Sequence, residues 1–160
     1  MEKILIKCII FFISISNLYC QNKTIKGRII DEHLESMPMV SIFNNYNVEL
    51  GKTDMNGFFQ IEIPICENKL LFRFIGLESL NVQLIDECKN LEIVMILEST
   101  YDFITLKKAD KLREQRLNKT EKYHKLAFEK GIFETDKACY VQKIIPYCEK
   151  KDDVLKYIHH

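Results

Sequence analysis

The rhythm of apolar positions divides the chain in two. From Thr24 to Leu97, short apolar runs recur between clusters of turn residues: "TIKGRII", "MVSIF", "ELGKT", "GFFQIEI", "KLLFRFI", "SLNVQLI" and "LEIVMIL". All are rich in β-branched or aromatic residues, which suit a pleated, half-buried surface. Alternation is clearest where Phe59, Ile61 and Ile63 alternate with Gln60 and Glu62, and where Leu80, Val82 and Leu84 alternate with Asn81 and Gln83. Each such strand turns one face to a core and the other to water. Short strands at this spacing, with no helix-length pattern between them, predict a mainly β fold over residues 21–98. The expected form is a seven-stranded antiparallel β-sandwich, immunoglobulin-like in plan.

After Leu97 the pattern changes. The stretch "ITLKKADKLREQRLNKTEKYHKLAFEKGIF" has no Pro, has no Gly before Gly131, and is rich in good helix formers. Leu106, Ala109 and Leu112, then Tyr123, Leu126 and Ala127, fall near one helical face. This reads as one helix, with a break point near Asn118, ending at Gly131. A short apolar run from Val141 to Ile145, Pro146 and an amphipathic helix around Asp152–Ile158 complete an α-helical C-terminal extension, residues 99–160. The composition shift at Ser99 and Thr100 predicts that the β unit folds without this extension. In the opposing reading, Leu106, Leu112, Leu126, Phe128 and Phe133 cover an exposed sheet face.

The first twenty residues, "MEKILIKCIIFFISISNLYC", read as a signal peptide: Lys3 and Lys7, an unbroken apolar run from Cys8 to Ile15, then a Leu18-x-Cys20 cleavage pattern. The run is shorter than the roughly 20 residues a membrane span needs. Cys20 raises a lipid-anchor reading, but Tyr19 stands where a small residue normally precedes a lipidated cysteine. Localisation is therefore expected to be exported: periplasmic, outer-membrane-associated or secreted. Without Met1–Cys20, 21 Lys and Arg face 22 Asp and Glu, so no global field steers the protein to nucleic acid. Charge is nevertheless uneven, with nine basic and four acidic residues from Lys107 to Lys130. Lys107, Lys108, Lys111, Arg113 and Arg116 form a candidate face for a membrane surface, against the reading of an ordinary solvated helix.

Cys66, Cys88, Cys139 and Cys148 are an even set in a chain read as exported, and disulfides are expected. No Cys-x-x-Cys pair supports zinc. Spacing alone leaves three connectivities open. If successive strands reverse at "CENK", "GLE" and "DECKN", Cys66 and Cys88 share one end of the sheet. That makes Cys66–Cys88 the first pairing to expect, with Cys139–Cys148 as a local pair.

Four motifs stand in order between Lys23 and Glu98: Gly27-Arg28-Ile29-Ile30-Asp31, Met37-Pro38-Met39-Val40-Ser41-Ile42, Thr53-Asp54-Met55-Asn56-Gly57-Phe58-Phe59 and Phe74-Ile75-Gly76-Leu77. In this order the segment resembles the carboxypeptidase regulatory-like domain. Leu77 replaces the usual aromatic residue after the glycine, and the loop before Val40 lacks a customary second glycine. The resemblance implies a transthyretin-like β-sandwich of the kind common in exported proteins of Bacteroidetes. Such domains accompany peptidases or precede outer-membrane barrels.

The Asp54-x-Asn56-Gly57 stretch also resembles part of a calcium loop. Ligand counting rejects this, because an EF-type frame would put Lys52 at the first position and Ile63 at the twelfth, where acidic ligands belong. Asp54, Asn56, Gly57 and Gly76 are instead read as turn residues. His33, His124, His159 and His160 form no metal-binding spacing, and Asp31, Glu32 and Glu35 read as solvated turn carboxylates. No catalytic, cofactor-binding or metal residue is assigned. The expected function is a noncatalytic exported module that binds or scaffolds at the cell envelope, its partner an envelope protein or glycan. The alternatives are membrane apposition through the basic helix and a cryptic hydrolase or peptidase accessory.

Overall fold

The computed structural model describes residues 21–85, 88 and 90–147. The signal-like segment, Cys148, His159, His160 and the helix expected around Asp152–Ile158 lie outside the described residues. The described elements are β1 (Asn22–Asp31), β2 (Ser41–Asn44), β3 (Glu49–Lys52), β4 (Phe58–Pro64), β5 (Lys69–Arg73), β6 (Leu80–Leu84), β7 (Asn90–Met95), α1 (Leu106–Leu117), α2 (Thr120–Glu129) and β8 (Tyr140–Ile144). The fold is mainly β. One sheet has the order β4-β1-β7 and the other β3-β2-β5-β6-β8.

The seven-stranded, wholly antiparallel expectation needs two corrections. An eighth strand, β8, pairs antiparallel with β6, Leu84 opposite Tyr140 and Leu80 opposite Ile144. Furthermore, β1 and β7 run parallel, Ile29 opposite Ile93. A parallel neighbour needs a crossover rather than a hairpin, and here five strands separate the two in sequence, β2, β3, β5 and β6 in the second sheet and β4 in the first.

Alternation builds the core between the sheets. Ile25, Ile29, Phe59, Ile61, Ile63, Leu91 and Ile93 from one sheet meet Ile42, Leu70, Phe72, Leu80, Val82 and Leu84 from the other. The opposite, outward face of the three-stranded sheet is not left to water. Ile30 and Val94, register partners on β1 and β7, are buried beneath Ala127 of α2 and Phe133. This is why β7 shows no alternation: both its faces are covered.

The helices dock through one stripe. Ala109, Arg113, Leu117, Thr120, His124 and Ala127 are the buried helical residues, at spacings of three and four that continue through the short break at Asn118–Lys119. Thr105 caps α1, its hydroxyl accepting from the Lys108 amide. Gly131, at φ 69°, ends α2, with the Ile132 amide returning to the Ala127 carbonyl at 2.8 Å. Of the five side chains named for sheet coverage, Phe133 alone is fully buried; Leu106, Leu126 and Phe128 are substantially exposed.

The segment after Ser99 is thus not a purely helical extension. It supplies a strand to the larger sheet, and Leu117, Tyr140 and Ile144 to the shared core. It also supplies half of the disulfide, which joins Cys88 to Cys139 with Cα atoms 5.5 Å apart. This replaces the expected Cys66–Cys88 and Cys139–Cys148 pairs. Pairing of β8 with β6 brings the Cys139 carbonyl to the Ile85 amide at 3.0 Å, so Cys139 arrives beside Cys88, while Cys66 sits on an exposed turn. The bridge links the starts of β7 and β8, which belong to different sheets. Closing 51 residues stabilises by about 4 kcal/mol in the chain-entropy account.

A chain ended at Thr100 lacks β8, Phe133 and Cys139, so it should melt noncooperatively or aggregate where the full chain gives a sharp transition by circular dichroism. A sharp melt of the shortened chain would show the β unit to be autonomous. Nonreducing peptide mapping of the full chain should find Cys88 joined to Cys139.

Candidate functional site

The motif residues of the Thr53–Pro64 stretch all have structural partners. Thr53 is buried; its hydroxyl accepts from the Val40 amide at 2.9 Å and donates to the Met37 carbonyl at 2.7 Å. The Asp54 carboxylate accepts from the amides of Asn56 and Phe58, both at 2.8 Å, and Gly57 takes φ 78°. A Cβ at Gly57 would come within 2.5 Å of the Ile29 carbonyl oxygen, so the turn needs glycine for space as well as for φ. Gly76, at φ 84°, turns the chain between β5 and β6 in open space.

The same turn recurs twice. Asp31 accepts from His33 and Glu35, and Asn44 from Tyr46 and Val48, at the same offsets of two and four residues. The third residue after each cap, Leu34, Asn47 or Gly57, is left-handed and donates its amide to the cap carbonyl. These are Asx-type turns that close strands. Two of the three carboxylates expected to be solvated are not: Asp31 is buried as a turn cap and Glu32 pairs with Arg116 at 2.9 Å, while Glu35 is exposed.

A second polar group lies beneath α2. Glu92 is buried on the outward face of β7 and accepts from the amides of Glu134 and Thr135 at 2.6 and 3.0 Å, and from the Thr135 hydroxyl at 2.6 Å. His124 packs its ring on Phe133, centroids 4.8 Å apart, with Nε2 3.1 Å from the Thr135 carbonyl. Burial pushes the His124 imidazole below its ordinary value, with the nearby Glu92 carboxylate and backbone acceptors opposing that shift. Glu92 holds the loop that leads into β8.

The third group is the most deeply buried. Arg113 has no exposed surface, and donates through Nε and Nη2 to the two Glu78 oxygens at 2.9 and 2.6 Å. Its Nη1 donates to Asp110 at 2.6 Å and to the Ile145 carbonyl at 3.1 Å, and its guanidinium lies 4.0 Å over the Tyr147 ring. Glu78 follows the β5–β6 turn. The network therefore ties α1 to the end of the two-sheet unit and to the segment after β8. Arg116, on the same side, also bonds Ser99. Arg113 is thus removed from the expected basic face and Arg116 is committed to Glu32; Lys107, Lys108 and Lys111 remain exposed on α1.

Among the described residues no group of three or more His, Cys, Asp or Glu side chains could hold a metal ion, and no helix is long and apolar enough to cross a membrane. A shallow groove of about 740 Å³ crosses the outward face of the three-stranded sheet, lined by Lys26, Asp54, Phe58, Gln60, Asn90 and Glu134 among others. It is open to solvent and mixes both charges. More distinctive is the end where α1 sits. There Ile75, 95% exposed, adjoins Gly76, whose carbonyl accepts from the Glu98 amide at 2.8 Å; the connector then carries Phe103, wholly exposed at φ 60°. Leu106, partly exposed, opens α1 directly afterwards. A large aromatic side chain held in the left-handed region is both strained and presented to solvent.

Removing one partner of the buried pair strands the other charge. Arg113→Met should lower unfolding stability by about 3–5 kcal/mol in denaturant titration, and Arg113→Met with Glu78→Met should recover much of that loss. A double variant as unstable as the single one would assign the loss to packing. For His124, the folded-state value lies below the unfolded 6.5, so the unfolded chain binds the proton more readily. Its contribution is present above about pH 6.5 and is lost as pH falls below it. Thermal melts between pH 7.5 and 5.5 should show a decline that His124→Phe reduces.

No protein-family model matches the chain, and no curated protein matches it.

Proposed function

We propose that the chain is a noncatalytic, exported binding module with a carboxypeptidase regulatory-like β-sandwich, and that its binding surface is the end bearing Ile75, Phe103 and Leu106. The observation that carries this is Phe103. Most apolar side chains of the strands are buried, yet this ring is wholly exposed on a left-handed residue, and Ile75, after β5, is exposed as well. Exposed apolar clusters rimmed by polar residues mark interaction sites. The groups that would suit an enzyme support the same reading. Asp31, Asp54, Glu78 and Glu92 are engaged in turns, loops or an ion pair, and His124 is packed on Phe133.

Export is supported by the N-terminal pattern of Lys3, Lys7 and the apolar run, and by a disulfide that suits an oxidising compartment. The four ordered motifs support the family. A photoreactive benzoylphenylalanine placed at Phe103, or at the exposed Tyr46 on the opposite end, tests the surface in intact envelopes. Adducts at position 103 and not at 46 are expected. No adduct at 103, or equal labelling at both, would overturn the assignment.

A further inference from the structure

The lysines that remain exposed on α1 identify a class of partner. We infer that the Phe103 end docks on an anionic lipid surface, with Phe103 entering the interfacial layer and Lys107, Lys108 and Lys111 meeting lipid phosphates. This deepens the surface reading above and rests on it.

Three observations converge. The first is shape: Phe103 projects from a turn, and the groove in the described structure lies elsewhere, on the outward sheet face. A single protruding ring beside a short helix turn offers little of the roughly 800 Å² per partner that a stable protein interface buries. It does suit insertion into a fluid interface, where aromatic side chains are favoured.

The second observation is charge. Lys107, Lys108 and Lys111 are exposed, and among the described residues none stands in an ion pair. At 100° per residue they fall within one 100° arc of α1, nearly opposite the buried stripe of Ala109, Arg113 and Leu117. Of the carboxylates nearest in sequence, Asp110 holds Arg113 and the Tyr147 amide, while Asp102 and Glu114 are exposed, Glu114 at the edge of the lysine arc, so that three lysines there face one helical carboxylate.

The third observation is that these lysines do not serve the helix. The first turn of α1 has no acidic residue, and positive charges near a helix start oppose its dipole. Anionic phosphates would relieve that repulsion, and each lysine near an anionic membrane adds attraction. Phe103 and the three lysines lie within nine residues of chain, and all four side chains are exposed.

The chain contains no tryptophan, which makes Phe103→Trp a unique fluorescent reporter in the full-length protein. Its emission should shift to the blue with vesicles of phosphatidylglycerol and phosphatidylethanolamine, and not with phosphatidylcholine alone. The shift should weaken steeply as salt rises from 0.05 to about 0.5 M. Exchanging Lys107, Lys108 and Lys111 for Gln should weaken binding about hundredfold, with an unchanged far-ultraviolet spectrum showing that the fold persists. The apolar N-terminal run is common to all variants, so binding through it would leave the residue-103 emission unmoved. An unmoved emission, an equal shift with neutral vesicles, or undiminished binding of the Gln variant would each overturn the lipid assignment. Protein adducts at position 103 in envelopes alongside a failed vesicle test would leave the surface reading standing and remove only the lipid.

Discussion

The desolvated Arg113–Glu78 pair fixes where everything after β7 can go. A guanidinium with no exposure must satisfy its donors inside the protein, and here Glu78, Asp110, the Ile145 carbonyl and the Tyr147 ring surround it. Such a pair recovers a desolvation penalty of several kcal/mol per ion only when its geometry is good, so its net stabilisation is small. Its effect is positional. α1 cannot slide or rotate along the end of the sheets without stranding a charge. Because Asp110 also holds the Tyr147 amide, the segment following β8 is set by the same constraint. The exposed lysines and Phe103 inherit their placement from it.

The two ends of the molecule are closed by different chemistry. At the α1 end, the charged network joins the β5–β6 turn to the helix and the last described residues. At the other end, a covalent bond links Cys88 to Cys139 and the Glu92 carboxylate grips the loop entering β8. Between them α2 covers Ile30 and Val94. An edge strand in each sheet, β7 in one and β8 in the other, is thus held by elements that come after Ser99 in the chain.

Much of this is legible in the sequence because alternation is a direct imprint of a two-faced strand. All seven β-rich runs become strands, their ends displaced by one or two residues. The Asp54–Gly57 turn is legible through its glycine, whereas the equivalent turn at Asp31 places Leu34 in the left-handed position and carries no such mark. The helices are legible as helices, and their covering role only as the opposing reading with Phe133 alone rightly placed, since half of their buried stripe is Arg113, Thr120 and His124. A polar inward face defeats a search for apolar periodicity when burial is made tolerable by an ion pair and backbone acceptors. One signal does point to the cover: "LEIVMIL" is apolar without alternation, as a strand covered on both faces must be. The disulfide was hidden because its partner cysteine reaches Cys88 only through a strand pairing across more than fifty residues.

The late position of β8 sets a direction to folding. Until residue 144 has left the ribosome, β6 is an open edge, and Leu80, Val82 and Leu84 lack the neighbours that Tyr140 and Ile144 provide. Unpaired edges next to apolar side chains are the surfaces on which chains associate wrongly. The molecule is therefore most vulnerable before β8 has paired, and its last described strand, more than its first, decides when it is safe from its own copies.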